Sequence, residues 1–231
     1  GDITTNGVAS CVAIGNQALR GDSATTTGAD GTVAIGKQAL FALTSGAQNT
    51  AIGYNSMLEH TTGGYNTCLG YGTMDSTNEG PNSLASQYNT FIGQNAGGGD
   101  WTDSGVHNNV VVGAGAMAGN LAGADNCIAI GYTALAGAVA HAGGGAIAIG
   151  TSALGALTSG AQNMGIGYNA GLLLQTGEHN TAIGWTALSS QVAGDNNTAI
   201  GHRALLANVT ADAAGNNTAI GKDAARQLIT G

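Results

Sequence analysis

The side chains of this 231-residue chain best equipped for chemistry are five histidines, three cysteines and two close pairs of carboxylates. Asp75 with Glu79 and Asp100 with Asp103 lie close together in sequence. Such pairs can divide acid and base work or hold a cation. His60, His107, His141, His179 and His202 fall in or beside turn-like stretches, and no two share metal-ligand spacing. Cys11, Cys68 and Cys127 are odd in number and far apart, with no C-x-x-C, and read as small buried thiols. The Gly-rich runs GAGAMAG (113–119) and GIGYNAG (165–171) lack G-x-G-x-x-G spacing and open no long helix. The acids read as solvated loop residues and the histidines as exposed ones. The expectation is a protein that is not an enzyme, with no catalytic residue, metal site or cofactor.

Composition narrows the class. Gly accounts for 41 residues and Pro for one, and only 8% of residues are charged. Collagen would need Gly at every third position and abundant Pro. A disordered chain would not be 43% hydrophobic. The net charge is −8, and the cations are Arg20, Lys37, Arg203, Lys222 and Arg226. Five cations cannot line a phosphate-tracking groove, so nucleic acid is not an expected partner. No apolar run is long enough to span a bilayer, so no membrane insertion is expected in this segment.

The elements that position these residues come from a repeat. A Gly ending an Ala-Ile-Gly-like triplet recurs at Gly15, Gly36, Gly53, Gly70, Gly93, Gly113, Gly131, Gly150, Gly167, Gly184, Gly201 and Gly221, at spacings of 17 to 23 residues. Before it stands Ile14, Ile35, Ile52, Leu69, Ile92, Val112, Ile130, Ile149, Ile166, Ile183, Ile200 or Ile220. Two places earlier the residue is β-branched in eleven of the twelve copies. Alternate large residues of this kind mark a short strand of four or five residues, which the Gly ends. The following step, as in GYxAL, reads as a second short strand. Four places before the Gly, Asn occurs in eight copies. Stacked in register, such an Asn can form an amide ladder.

One such unit cannot bury its apolar face alone, so the units must stack as the coils of a β-solenoid. The expected fold is all-β: a parallel β-roll of about twelve 17–23-residue coils, forming a single domain over 1–231 with insertions at 74–89 and 97–109. Few large apolar residues are available per coil. The Ile column, with the Leu column that follows the Gly, is therefore expected to be the structural core, packed between chains of an oligomer with cyclic symmetry, three chains being the expectation.

The residue after each Gly varies: it is Tyr54, Tyr71, Tyr132, Tyr168 or Trp185 in five copies. A freely varying column faces solvent, and an aromatic stripe there suits a sugar or a protein. Trp101, between acids in a Gly-rich turn of the second insertion, is a further candidate for surface binding, or else packs on a neighbouring chain.

The AIGxxA units flanked by Asn and Gly turns resemble the head repeats of trimeric autotransporter adhesins, the YadA-like β-roll. The form NTAIGYxAL is similar to repeats of phage tail fibres. The resemblance spans nearly the whole chain. It implies a left-handed coil, a homotrimer around a central seam, an extracellular place on a virion tail fibre or cell-surface appendage, and attachment to a host glycan or protein. The heptad stalk, membrane anchor, neck and chaperone domain of those families are not visible, and the chain reads as a fragment of a longer fibre. The alternatives are an adhesin head, a monomeric solenoid binding ice or glycan through a Thr face, and a depolymerase, which would need carboxylates clustered at one level.

Overall fold

The computed structural model describes residues 9–21, 28–77, 85–101, 105–137, 139, 144–208 and 215–228. Glu79, Asp103 and His141, with the middle of each insertion, lie outside the described residues.

Each of the twelve repeats contributes one strand to a main sheet, and the last two add a second short strand each. In chain order these are β1 (Val12–Ile14), β2 (Val33–Ile35), β3 (Thr50–Ile52), β4 (Thr67–Leu69), β5 (Thr90–Ile92), β6 (Val110–Val112), β7 (Ile128–Ile130), β8 (Ile147–Ile149), β9 (Met164–Ile166), β10 (Thr181–Ile183), β11 (Thr198–Ile200), β12 (Ala207–Asn208), β13 (Thr218–Ile220) and β14 (Gln227–Leu228). All but β12 and β14 form one twelve-stranded parallel sheet in sequence order, and β12 pairs with β14 in a second small sheet. The register places like on like: Thr181 beside Thr198, Ala182 beside Ala199, Ile183 beside Ile200. The chain is thus an all-β parallel solenoid. The strands of the main sheet are three residues long, shorter than expected, because the Asn before and the Gly after each belong to corners.

The Leu/Met column, expected to pack between chains together with the Ile column, instead lies inside the coil of its own chain. In each strand of the main sheet the middle residue points into the coil and its two neighbours point out. Ala34, Ala51, Ala148 and Ala199 are fully buried, as are Leu40, Met57, Leu135 and Leu154. The interior is therefore filled by the Ala column against the Leu/Met column of the same chain. The Ile column lies outside it: Leu69 remains 45% exposed and Ile130 38% in the middle of the stack. Ile14 and Ile220 are exposed too, while Ile35, Ile52, Ile92, Val112, Ile149, Ile166, Ile183 and Ile200 are half-buried on the same outer face. The reason is width. The coil turns back soon after the Gly, so the inward strand position paired with a Leu or Met stays small: Ala in most coils, Cys68 in the coil of Met74 and Val111 in that of Met117.

The step after the Gly is a turn, not a second strand. Gln38 and Leu40 have φ of 60° and 50°, and Asn55 and Met57 have 56° and 55°. Left-handed backbone at an L-residue costs about 1–2 kcal/mol. Each such residue gains a bond to an adjacent coil: Gln38 N–H donates to the Asn16 carbonyl at 2.9 Å, and Leu40 N–H to the Ser56 carbonyl at 3.0 Å. The alternation sends one donor to the coil before and the next to the coil after.

The buried Asn column forms two amide ladders. Asn49, Asn66, Asn89 and Asn109 are linked rung to rung, as are Asn163, Asn180, Asn197 and Asn217, each Nδ2 donating to the preceding Oδ1 at 3.0–3.1 Å. Cys127 and Ala146 hold this column between the ladders.

The β5 coil fills its interior with an aromatic cluster. Phe91 replaces the inward Ala, and Gly97 replaces the Leu or Met that would face it. A Cβ on Gly97 would sit 2.5 Å from the Phe91 ring. Trp101 completes the cluster, fully buried, its ring 5.7 Å from Phe91 and tilted 50°, with Nε1–H donating to the Gly97 carbonyl at 3.0 Å. Phe91→Ala should cost about 3–5 kcal/mol through the cavity it leaves. Gly97→Leu should destabilise by overpacking. Combined, the two changes restore the Ala–Leu pairing of the other coils and should cost less than their sum. Urea unfolding of the two single variants and the double checks this, and strict additivity would show that the two positions do not share a space.

Candidate functional site

The most differentiated surface is the outer face around β4. Thr67 and Leu69 point outward from β4, Tyr65 and Tyr71 stand at the corners before and after it, and all four are exposed. Aromatic rings border this face on both sides. Tyr54 stacks on Tyr71 from the previous coil, centroids 5.4 Å apart and planes within 6°. Tyr88 of the next coil stacks on Tyr65 at 5.0 Å and 15°. The Lys37 ammonium caps the first pair, 5.4 Å from the Tyr54 ring centre.

A second stack follows further along the rod. Tyr168 and Trp185 lie 6.1 Å apart at 12°, and Trp185 and His202 4.8 Å apart at 15°. Beside it Arg203 Nε reaches Asp223 Oδ1 at 2.9 Å. Tyr132 stands apart from both stacks and is 63% exposed. The structure thus brings Tyr54 with Tyr71, and Tyr168 with Trp185, into stacks on one surface column. It does not bring Trp101 to that surface: this residue is buried inside its own coil, and neither binds at the exterior nor packs on another chain.

Tyr65 and Tyr88 escape a reading based on the column after the Gly. They precede the ladder Asn, where the backbone is left-handed, with φ of 61° and 60°. Two successive Tyr-Asn steps are the signal that marks them.

The groups capable of proton or metal chemistry do not converge. Among the described residues, no group of three or more His, Cys, Asp or Glu side chains could hold a metal ion. Burial pushes the Cys68 and Cys127 thiols up, away from the reactive thiolate. Asp75 is raised chiefly by burial, then by the charges of Glu59 and Asp100.

His60 is structural. It is fully buried, with Nε2 2.9 Å from the Gly63 carbonyl. A carbonyl only accepts, so Nε2 carries the proton. Burial lowers its pKa from 6.5 to about 4, the Gly63 bond opposing this in part. The unfolded chain therefore takes up this proton more readily than the folded one. The contribution of neutral His60 is full above pH 6.5 and is lost as pH falls towards about 4, by roughly 3 kcal/mol. Asp75, with its pKa raised, acts in the opposite sense. Urea unfolding of the native chain and of His60→Phe between pH 7 and 4 should isolate the histidine's share: the native chain loses more stability on acidification. Parallel curves would mean that His60 is not the titrating group.

No protein-family model, curated protein or solved structure matches this chain.

Proposed function

We propose that this chain is the rod segment of an attachment fibre, in which left-handed coils of three identical chains pack through their outer sheet faces. The observation that carries the reading is the column running from Ile14 to Ile220, twelve large aliphatic residues in register on an outer face, none of them fully buried by the single chain. Soluble monomers rarely expose a continuous apolar strip of this kind. A second copy of the same chain is the fitting partner, because a periodic strip is complementary to itself at every level. The narrow Ala–Leu interior points the same way, since one coil alone buries little apolar area. A rod of this kind holds a tip at a distance from a virion or a cell, and the resemblance to phage tail fibres supports the first setting over the adhesin head.

Light scattering on the purified chain tests this. The expected mass is three times 22.4 kDa. Ile130→Glu with Ile149→Glu should yield folded monomers, because both positions lie outside the coil interior. A folded native monomer would overturn the fibre reading. It would favour a monomeric ice- or glycan-binding solenoid, for which the in-register ranks Thr50–Thr67–Thr90 and Thr181–Thr198–Thr218 supply a hydroxyl face.

A further inference from the structure

The chain has six tyrosines, and they sort by their neighbours. Tyr132 stands apart from the stacks, and Tyr168 stacks on Trp185. The other four form two tyrosine pairs, each made of one ring from one coil and one ring from the next: Tyr54 with Tyr71, and Tyr65 with Tyr88. Both pairs keep part of each ring in solvent. Tyr65 is 47% exposed and Tyr88 55%.

The Tyr65–Tyr88 pair is the closer one, with centroids 5.0 Å apart against 5.4 Å. Its backbone is fixed like on like. Both residues are left-handed, with φ of 61° and 60°, and Tyr88 N–H donates to the Gly64 carbonyl at 3.4 Å. The residues that follow are ladder partners, Asn89 Nδ2 donating to Asn66 Oδ1 at 3.0 Å, and beyond them Thr67 lies beside Thr90 in the sheet. The two rings are thus held about one coil spacing apart, and the free solvent beside them leaves room to turn. The other pair differs in its surroundings. The Lys37 ammonium stands over Tyr54, 5.4 Å from the ring centre, and a cation there opposes removal of an electron from that ring.

We infer that Tyr65 and Tyr88 are a site of oxidative coupling, joined as a dityrosine by hydrogen peroxide acting through a haem peroxidase. Each phenol gives up one electron and its hydroxyl proton. One peroxide takes both electrons and both protons and leaves as two waters. The two tyrosyl radicals pair through their ortho carbons, which forms one C–C bond. Each of those carbons then releases its hydrogen as a proton, and each phenol oxygen takes one up, so both rings regain aromaticity and both hydroxyls return. The coupling step is favoured because the second radical is already in place and need not be met by diffusion. Sulfur groups that peroxide would otherwise oxidise are shielded: Cys68, Cys127, Met57, Met74 and Met117 are fully buried. The link would span 23 residues, the longest repeat spacing in the chain, and includes most of the first insertion. Like a disulfide, it would restrict the unfolded chain, and the gain grows with the length closed. The inference stands on the single chain and does not require three chains.

Treatment of the full chain with a peroxidase and limiting peroxide tests it, read by dityrosine fluorescence and by mass mapping of peptides. The first link is expected between Tyr65 and Tyr88 of one chain, with the loss of two hydrogens, and the linked chain should show a raised urea midpoint. Tyr65→Phe keeps a ring in the stack, so it should fold, and it should abolish this link. Tyr132→Phe should leave the yield unchanged. The inference is overturned if no dityrosine forms, if the first link involves any of the other four tyrosines or joins two chains, or if Tyr65→Phe gives the native yield. Light scattering on the same samples keeps the two proposals apart. A trimer without the Tyr65–Tyr88 link sinks the coupling site alone, and a monomer with it sinks the fibre alone.

Discussion

Asn180→Asp should destabilise the rod more than Asn180→Ala at neutral pH, and the order should narrow on acidification. Asn180 is buried and occupies an inner rung. Its Nδ2 donates to Asn163 Oδ1 at 3.0 Å and to the Gly194 carbonyl at 2.7 Å, and its Oδ1 accepts from the backbone and side-chain nitrogens of Asn197 at 2.9 and 3.0 Å. Alanine removes all four bonds and leaves the Gly194 carbonyl and the Asn197 N–H without those partners, at about 1–3 kcal/mol for each buried group. Aspartate keeps the bonds from Asn197. It places its second oxygen against the Asn163 oxygen and the Gly194 carbonyl, both acceptors, and buries a charge. Protonation turns that oxygen into a donor, so the Asp variant alone should regain stability as pH falls. Asn217→Ala should cost least of the ladder substitutions, about 1 kcal/mol or less, because that rung is half-buried and accepts no bond from a following Asn. Thermal and urea unfolding of the three variants at two pH values gives the ranking. Equal losses for Asn180→Ala and Asn217→Ala would show that the ladder carries no more than its end rung.

The repeat and the ladder are legible in the sequence because both are columns. Stacking forces a position that works in one coil to work in the next, so the Asn and the Gly recur visibly. The inside of the coil is not legible by the same route. Period-two alternation defines two faces at Thr181–Ala182–Ile183 without saying which is interior, and a hydrophobicity rule chooses Ile. The structure chooses Ala, because the facing Leu188 already fills the space, and the wider side chains go to the outer face where another surface can meet them. Leu188 itself misleads, since φ of 51° is a conformation that β-propensity and hydrophobicity do not suggest for Leu. The Phe91–Gly97–Trp101 cluster shows what was recoverable. A Phe in an Ala column and a Gly in a Leu column of the same coil are one exchange of volume, and read together they place a large buried partner nearby. The surface stacks lie between these cases: Tyr54 and Tyr71 announce themselves by column, whereas Tyr65 and Tyr88 depend on the twist of a corner residue.

Gly150→Ala should be among the most damaging single changes in the rod, costing about 4 kcal/mol or more. Two terms contribute. The φ of 126° lies in a region that L-residues rarely enter, at about 1–3 kcal/mol. The added Cβ would also stand 2.6 Å from the Gly167 carbonyl oxygen of the next coil. That carbonyl is itself engaged, accepting from Ala170 N–H at 3.3 Å, and the residue is fixed from its other side by Gly167 N–H donating to the Ile149 carbonyl at 2.7 Å. The coils must part or the ladder must break. Gly221 separates the two terms. Its φ is 120°, and nothing lies within 4 Å of where its Cβ would be. Gly221→Ala should therefore show the dihedral cost alone, and the difference between the two variants measures the contact between coils. In a stack that interacts only with its neighbours, a break at Gly150 should also divide unfolding into two less cooperative steps, with a smaller urea slope for each. If Gly150→Ala and Gly221→Ala prove equally costly, the glycine column is there for its backbone angle, and close stacking is its consequence, not its cause.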